Sequence, residues 1–158
     1  MESDTSKARF VFRPARAEDI PALLEIAALS GATSWTKRMF ERELGIPFSL
    51  SFVAELGKDA RSSPRPLAFG IVWVVDETAQ IIEFAVHPEW RRKGLGQKFL
   101  EHFMRSARER GCRKMELEFR KDNLAARRLY EKLGFVVAGE RKNFYAGAFD
   151  AVLMECEI

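Results

Sequence analysis

Between Ile81 and Gly96 an apolar run, Ile81-Ile82-Glu83-Phe84-Ala85-Val86, ends in His87-Pro88-Glu89-Trp90 and then in a basic turn, Arg91-Arg92-Lys93-Gly94-Leu95-Gly96. Downstream, Leu95, Phe99, Leu100, Phe103, Met104 and Ala107 recur at helical spacing as far as Arg110, and Gly111 supplies the left-handed residue that closes such a helix. A buried strand feeding an amphipathic helix through so short a connection commits the chain to layered α/β architecture. The connection also has a chemical character. Glycine lets backbone approach a ligand without a Cβ, a helix N-terminus offers unpaired N–H groups and the positive end of its dipole, and three cations stand beside it. A polyanion fits there. A dinucleotide fingerprint would need glycine where Phe99 stands, and no phosphate loop ending in Gly-Lys-Ser/Thr occurs anywhere. Taken alone, Arg-x-x-Gly-x-Gly also fits a solvated basic helix start.

The remaining elements follow from periodicity and breakers. Phe10-Val11-Phe12-Arg13 reads as a strand, and Glu18 to Leu29 as a helix that tolerates Pro21 in its first turn and breaks at Ser30-Gly31. Ser34 or Thr36 caps a second helix through Leu44, and after Gly45-Ile46-Pro47 the residues Phe48, Leu50, Phe52 and Ala54 alternate as a strand. The polar Gly57 to Pro66 stretch reads as a surface hairpin loop. Leu67 to Val75 and Ala79 to Val86 form an antiparallel pair around Asp76-Glu77-Thr78. Met115, Leu117 and Phe119 alternate with Glu116 and Glu118, so both carboxylates leave one face of a strand. Asp122 or Asn123 caps a helix to Leu133, and Phe135 to Ala138 and Ala151 to Ile158 are two final strands. The prediction is an α/β (α+β) fold of about seven strands and four helices, one domain over residues 9–158 behind a disordered tail, residues 1–8.

Composition narrows the function. At 47% hydrophobic and 31% charged residues the chain is globular, and most of its 13 phenylalanines belong in a core. Cys112, Cys156, His87 and His102 have no zinc-ligand spacing, so no metal is expected. Neither a membrane-span run nor a secretory start is present, from which a reduced, cytoplasmic protein is expected. The net charge is +3, but 26 basic residues interleave with 23 acidic ones along the chain. That pattern favours one local anion site over a nucleic-acid groove, and neither nucleic acid nor membrane is expected as a partner.

Arg91, Gly94 and Gly96 fill the pattern [Gln/Arg]-x-x-Gly-x-[Gly/Ala] between a strand and a long helix, and Asn123-x-x-Ala126-x-x-Leu129-Tyr130-x-x-Leu133-Gly134-Phe135 follows it. With these two motifs the chain resembles the GNAT acetyltransferase superfamily over nearly its whole length. The resemblance implies a mixed, mostly antiparallel sheet in which the strand of Ile81 to Val86 splays from that of Lys114 to Phe119. It also implies acetyl-CoA, its pantetheine arm in the gap and its pyrophosphate on the backbone of the basic turn. The cofactor-binding set so implied is Phe84, Ala85, Val86, Arg91, Arg92, Lys93, Gly94, Leu95, Gly96, Asn123 and Tyr130.

Within that superfamily the chain is most similar to the ribosomal-protein alanine N-acetyltransferases, the RimI type. The similar stretches are Ser34-Trp35-Thr36, Leu117-Glu118-Phe119-Arg120-x-x-Asn123, Leu129-Tyr130-Glu131-x-Leu133-Gly134-Phe135, and Arg141-Lys142-Asn143-Phe144-Tyr145 with Asp150-Ala151. This similarity implies Glu118 as general base acting through water and Tyr130 as the acid that protonates the leaving thiolate. The residues alone leave both open: Glu118 also reads as a surface partner of Arg120 or Arg127, and Tyr130 as a packing residue. Glu116 and Glu83 are rival bases. Glu83 ranks second, since a charge inside an apolar run is costly unless it faces a cleft. Trp35 and the pair Phe144-Tyr145 either wall a peptide channel or cover the core, and Trp35, Glu83 and Tyr145 are the substrate-binding candidates. Where RimI-type chains usually carry a longer polar insert, this one has Ala146-Gly147-Ala148-Phe149. The expected acceptor is a protein N-terminus, because an α-amine with pKa about 8 needs less deprotonation than a lysine near 10.4. A small-molecule amine is the alternative acceptor. A non-catalytic acyl-CoA-binding module is a further alternative, disfavoured by the presence of both Glu118 and Tyr130.

Overall fold

The computed structural model describes residues 9–57, 65–145, 147 and 149–158, Tyr145 by its backbone alone. The expected tail and most of the Gly57 to Pro66 loop lie outside the described residues. Seven strands join in one sheet: β1 Phe10–Pro14, β2 Ser49–Leu56, β3 Ala68–Val75, β4 Thr78–Val86, β5 Lys114–Arg120, β6 Val136–Tyr145 and β7 Phe149–Glu157. Their order is β1-β2-β3-β4-β5-β7-β6, antiparallel throughout except for the parallel pair β4 and β5. The helices are α1 Ile20–Leu29, α2 Lys37–Leu44, α3 Leu95–Glu109 and α4 Leu124–Lys132. Thr36 Oγ1 accepts from the Met39 amide at 3.2 Å and Asn123 Oδ1 from the Ala126 amide at 3.1 Å, which decides the two capping alternatives.

Strand alternation divides the core between the two sheet faces. Phe52, Ala54, Ala68 and Val72 join Leu95, Phe99, Phe103 and Tyr130 under α3 and α4, while Val53, Phe69 and Ile71 join Ile20, Leu23, Ile26 and Phe40 under α1 and α2. Seven phenylalanines are buried: 40, 52, 69, 99, 103, 119 and 135. Gly70 is glycine for packing reasons, since a Cβ there would come within 2.1 Å of the Phe103 ring. Among the described residues no helix is long and apolar enough to cross a membrane.

Two irregularities in β4 interrupt the sheet at its centre. β4 pairs with β5 only at Thr78↔Lys114, Ala79↔Met115 and Gln80↔Glu116, after which the strands part. On its other side the register passes from Val72↔Ile81 to Ile71↔Glu83, so Ile82 is an extra, bulged residue. A bulge bends its strand and adds twist, and this one lies where β4 leaves β5. It also shifts the facing of the strand: Ala79 and Ile81, then Phe84 and Val86, pack under α3, whereas Ile82 and Ala85 pack toward α1 and α2.

Candidate active site

The parting of β4 and β5 opens a cleft of about 980 Å³ through the sheet. Ser30, Gly31 and Ala32 line it from the α1 side and Asn123, Ala126 and Tyr130 from the α4 side. Its walls are Ile81 to Phe84 on β4, Leu117 to Arg120 on β5, and Arg141, Phe144 and Phe149 on the β6–β7 hairpin. This volume is typical of a small-molecule site. The splay expected from the superfamily resemblance is thus present.

Glu118 and Tyr130 both line this cleft. Tyr130 is buried, its ring between Phe119 at 5.4 Å and Phe135 at 5.9 Å, so the phenol is held by packing. Glu118 Oε1 lies 3.1 Å from the Arg141 guanidinium. The sequence suggested Arg120 or Arg127 as its partner; instead Arg120 forks onto Asp122 at 2.6 Å and Arg127 meets Glu131 at 2.8 Å. β7 separates β5 from β6, so the Arg141 contact is invisible to local spacing. Glu116 faces Lys114 at 3.0 Å at the still-paired end of the strands and does not line the cleft.

Glu83 does line it. Its Oε2 accepts from the Trp35 indole N–H at 3.0 Å and its Oε1 from the Phe84 amide at 3.2 Å. Burial pushes the Glu83 carboxyl up, and the two N–H donors pull the other way without cancelling it. Trp35 itself is not among the lining residues: the indole stacks on Phe40 at 4.9 Å and stands behind Glu83. Of the two places the sequence left open for Trp35, channel wall or core cover, the indole takes the second, and Ser30, Gly31 and Ala32 line the cleft, the first two of which read only as a helix break. The Tyr145 side chain lies outside the described residues. Phe144, which the sequence left open between channel wall and core cover, lines the cleft together with Phe149, itself exposed with the Arg120 guanidinium 3.6 Å from its ring centre.

At the far end of β4 the basic turn meets α3. Among the described residues no side chain caps this helix, and Gly94, at φ +78°, would direct a Cβ into open space. Arg92 is also left-handed, at φ 59°, and turns with left-handed residues are the backbone setting in which anion-binding concavities are built. These open amides suit a diphosphate. Leu95 is buried, leaving only its amide for a ligand, and Gly96 lets α3 approach α4 and β4, with Leu129 at 3.4 Å and Phe84 at 3.6 Å from where a Cβ would stand. Lys93 lies over the Trp90 ring at 4.7 Å. Arg91 turns back: its Nε donates to the Val86 carbonyl at 3.1 Å and its guanidinium to Ser30 Oγ at 3.1 Å. Ala85 is buried, and Phe84 packs on Phe99 and Phe103, so β4 offers its backbone to the gap. His87 is a turn residue, its Nδ1 accepting from the Glu89 amide at 3.2 Å.

Residues 20–135 match the acetyltransferase (GNAT) family. The [ribosomal protein bS18]-alanine N-acetyltransferase of Escherichia coli (strain K12) is 35% identical over 143 residues, 89% of this chain and 92% of that protein. The protein of the same name from Salmonella typhimurium is 34% identical over 143 residues, with the same shares. In structure, the ribosomal-protein-S18-alanine N-acetyltransferase of Escherichia coli superposes with a TM-score of 0.82 at 32% identity, over 95% of this chain and 94% of that one. Ard1 from Thermoplasma volcanium superposes with a TM-score of 0.83 at 26% identity, over 94% and 97%. With an uncapped helix after β4, a parted strand pair and these relatives along most of its length, the chain belongs to the acetyltransferase (GNAT) family and is an N-acetyltransferase.

Proposed function

We propose that this protein acetylates the N-terminal α-amino group of a protein in the cytoplasm, a ribosomal protein beginning with alanine being the acceptor suggested by its relatives' names. Acetyl-CoA supplies the acetyl group activated as a thioester. The observation that carries this reading is the through-sheet cleft, with the open amides of Arg92 to Gly96 beyond one end of β4 and Glu118 and Tyr130 on its walls.

The residues divide the work. Amides of the basic turn and the first turn of α3 hold the diphosphate, the backbone of Phe84 to Val86 holds the pantetheine arm as an added strand would, and Asn123 flanks it. Glu118 takes the amine's proton through water, and the Tyr130 hydroxyl donates a proton to the departing sulfur. The buried ring of Tyr130 holds that hydroxyl in place without an ordering cost at each turnover.

Incubation with acetyl-CoA and a panel of peptides with free N-termini, lysine peptides with blocked N-termini and small amines, following free thiol, tests the reading. Thiol release with alanine-initiated peptides well above the others is expected. Release confined to lysine peptides or small amines would replace the proposed acceptor.

A further inference from the structure

Among the described residues three carboxylates line the cleft, Glu83, Glu118 and Asp122, and they are not equivalent. Glu118 already has the Arg141 guanidinium at 3.1 Å, and Asp122 has Arg120 at 2.6 Å. Among the described residues Glu83 has no lysine, arginine or histidine in ion-pair range; neutral N–H groups of Trp35 and Phe84 are its donors. A carboxylate partly withdrawn from water without a cation is a standing cost to the fold, and such charges persist where a ligand supplies the missing partner.

The structure also shows how that carboxylate is aimed. Thr36 caps α2, Phe40 on the first turn of α2 stacks on Trp35 at 4.9 Å, and Phe69 on β3 backs Phe40 edge-on at 5.3 Å. This stack fixes the indole, and the indole N–H fixes Oε2. The bulge at Ile82 places Glu83 on the α1 and α2 side of the sheet, beside the lining residues Ser30 to Ala32. At neutral pH an α-amine with pKa about 8 is mostly ammonium, so the species that reaches the cleft carries the charge Glu83 lacks.

We propose that Glu83 is the seat on which the acceptor docks as an ammonium ion, with Trp35 as its positioning residue, while Glu118, already compensated by Arg141, contributes to the later loss of the proton and not to this recognition. The proposal rests on the acetyl-transfer reading of the cleft and specifies how that cleft selects an amine.

The test is an equilibrium one, calorimetric binding to protein saturated with CoA. Its two probes are an alanine-initiated hexapeptide with a free amine and the same peptide with propionyl in place of alanyl, which keeps the shape and removes the charge. Wild-type protein is expected to prefer the ammonium peptide at least about tenfold, the size of one charge-assisted hydrogen bond. Glu83→Gln should bring that ratio close to one while binding the propionyl peptide as before. Trp35→Phe, which keeps the stack but removes the indole N–H, should give an intermediate ratio, and Glu118→Gln should keep the wild-type ratio. A preference that survives Glu83→Gln, that disappears in Glu118→Gln instead, or an equal weakening of both probes in Glu83→Gln overturns the proposal. Thermal melts of each variant check folding. If the wild-type protein acetylates no peptide at all, the acceptor reading fails; if it acetylates peptides and the ratio ignores Glu83, only the seat fails.

Discussion

Glu118 and Tyr130 occupy different surroundings, and the difference suits opposite proton tasks. Glu118 keeps contact with water and an arginine, whereas Tyr130 is clamped between aromatic rings. Glu118→Gln and Tyr130→Phe should each lower kcat by about a hundredfold or more, the usual worth of a positioned acid or base. CoA affinity by calorimetry should stay within about twofold, since neither change touches the amides of the turn. Loss of affinity with unchanged kcat would reassign both residues. That Glu118 and Tyr130 face one cleft was legible in the motif spacing together with the resemblance. Arg141 and the position of Trp35 were not, because one depends on an intervening strand and the other on a bulge.

At the scale of elements, α3 joins the core to the candidate phosphate site. Its apolar stripe made its existence plain in the sequence, and Phe99, Leu100 and Phe103 are almost wholly buried. Its uncapped start depends on Gly94, whose left-handed backbone strains any residue with a Cβ although space for one exists. Gly94→Ala should therefore fold with a penalty of about 1 kcal/mol in chemical denaturation. It should weaken CoA binding about tenfold through displacement of the amides. Wild-type affinity in that variant would remove the turn from the binding site. The final hairpin was only half legible: β6 extends to Tyr145, where apolar patterning marked a strand only as far as Ala138. The continuation Gly139-Glu140-Arg141 is polar, and it is strand because β7 pairs with it, not because its own residues demand it.

Across the whole molecule, a partly buried charge cluster ties the edge strand β1 to the sheet and to α1. Arg13 forks onto Asp19 at 2.8 Å and reaches Glu55 on β2 at 3.2 Å, and Asp19 also accepts from the Arg16 amide at 2.7 Å. Burial alone would raise the Asp19 carboxyl; the hydrogen bonds from Arg13 and Arg16 outweigh it and hold the group below its ordinary value. A carboxyl depressed in the folded state contributes stability that is complete above the unfolded value, about pH 4, and is lost as pH falls through the lower folded value. Asp19→Asn should cost about 2 kcal/mol at neutral pH, in the range of a charge-assisted hydrogen bond. The gap between the two proteins in thermal melts should shrink below about pH 4. A gap independent of pH would mean that the cluster contributes through shape and not charge.

The chain's own pattern of apolar spacing, breakers and glycines determined the order of elements, the two-faced core and the amides offered to an anion, because each of these is decided within a few residues. Which side chains meet across the gap was left to the tertiary structure. The order β5-β7-β6 brings Arg141 to Glu118, and one extra residue in β4 turns Glu83 toward Trp35. Strand order and register are set by contacts between distant segments, and no local spacing encodes them.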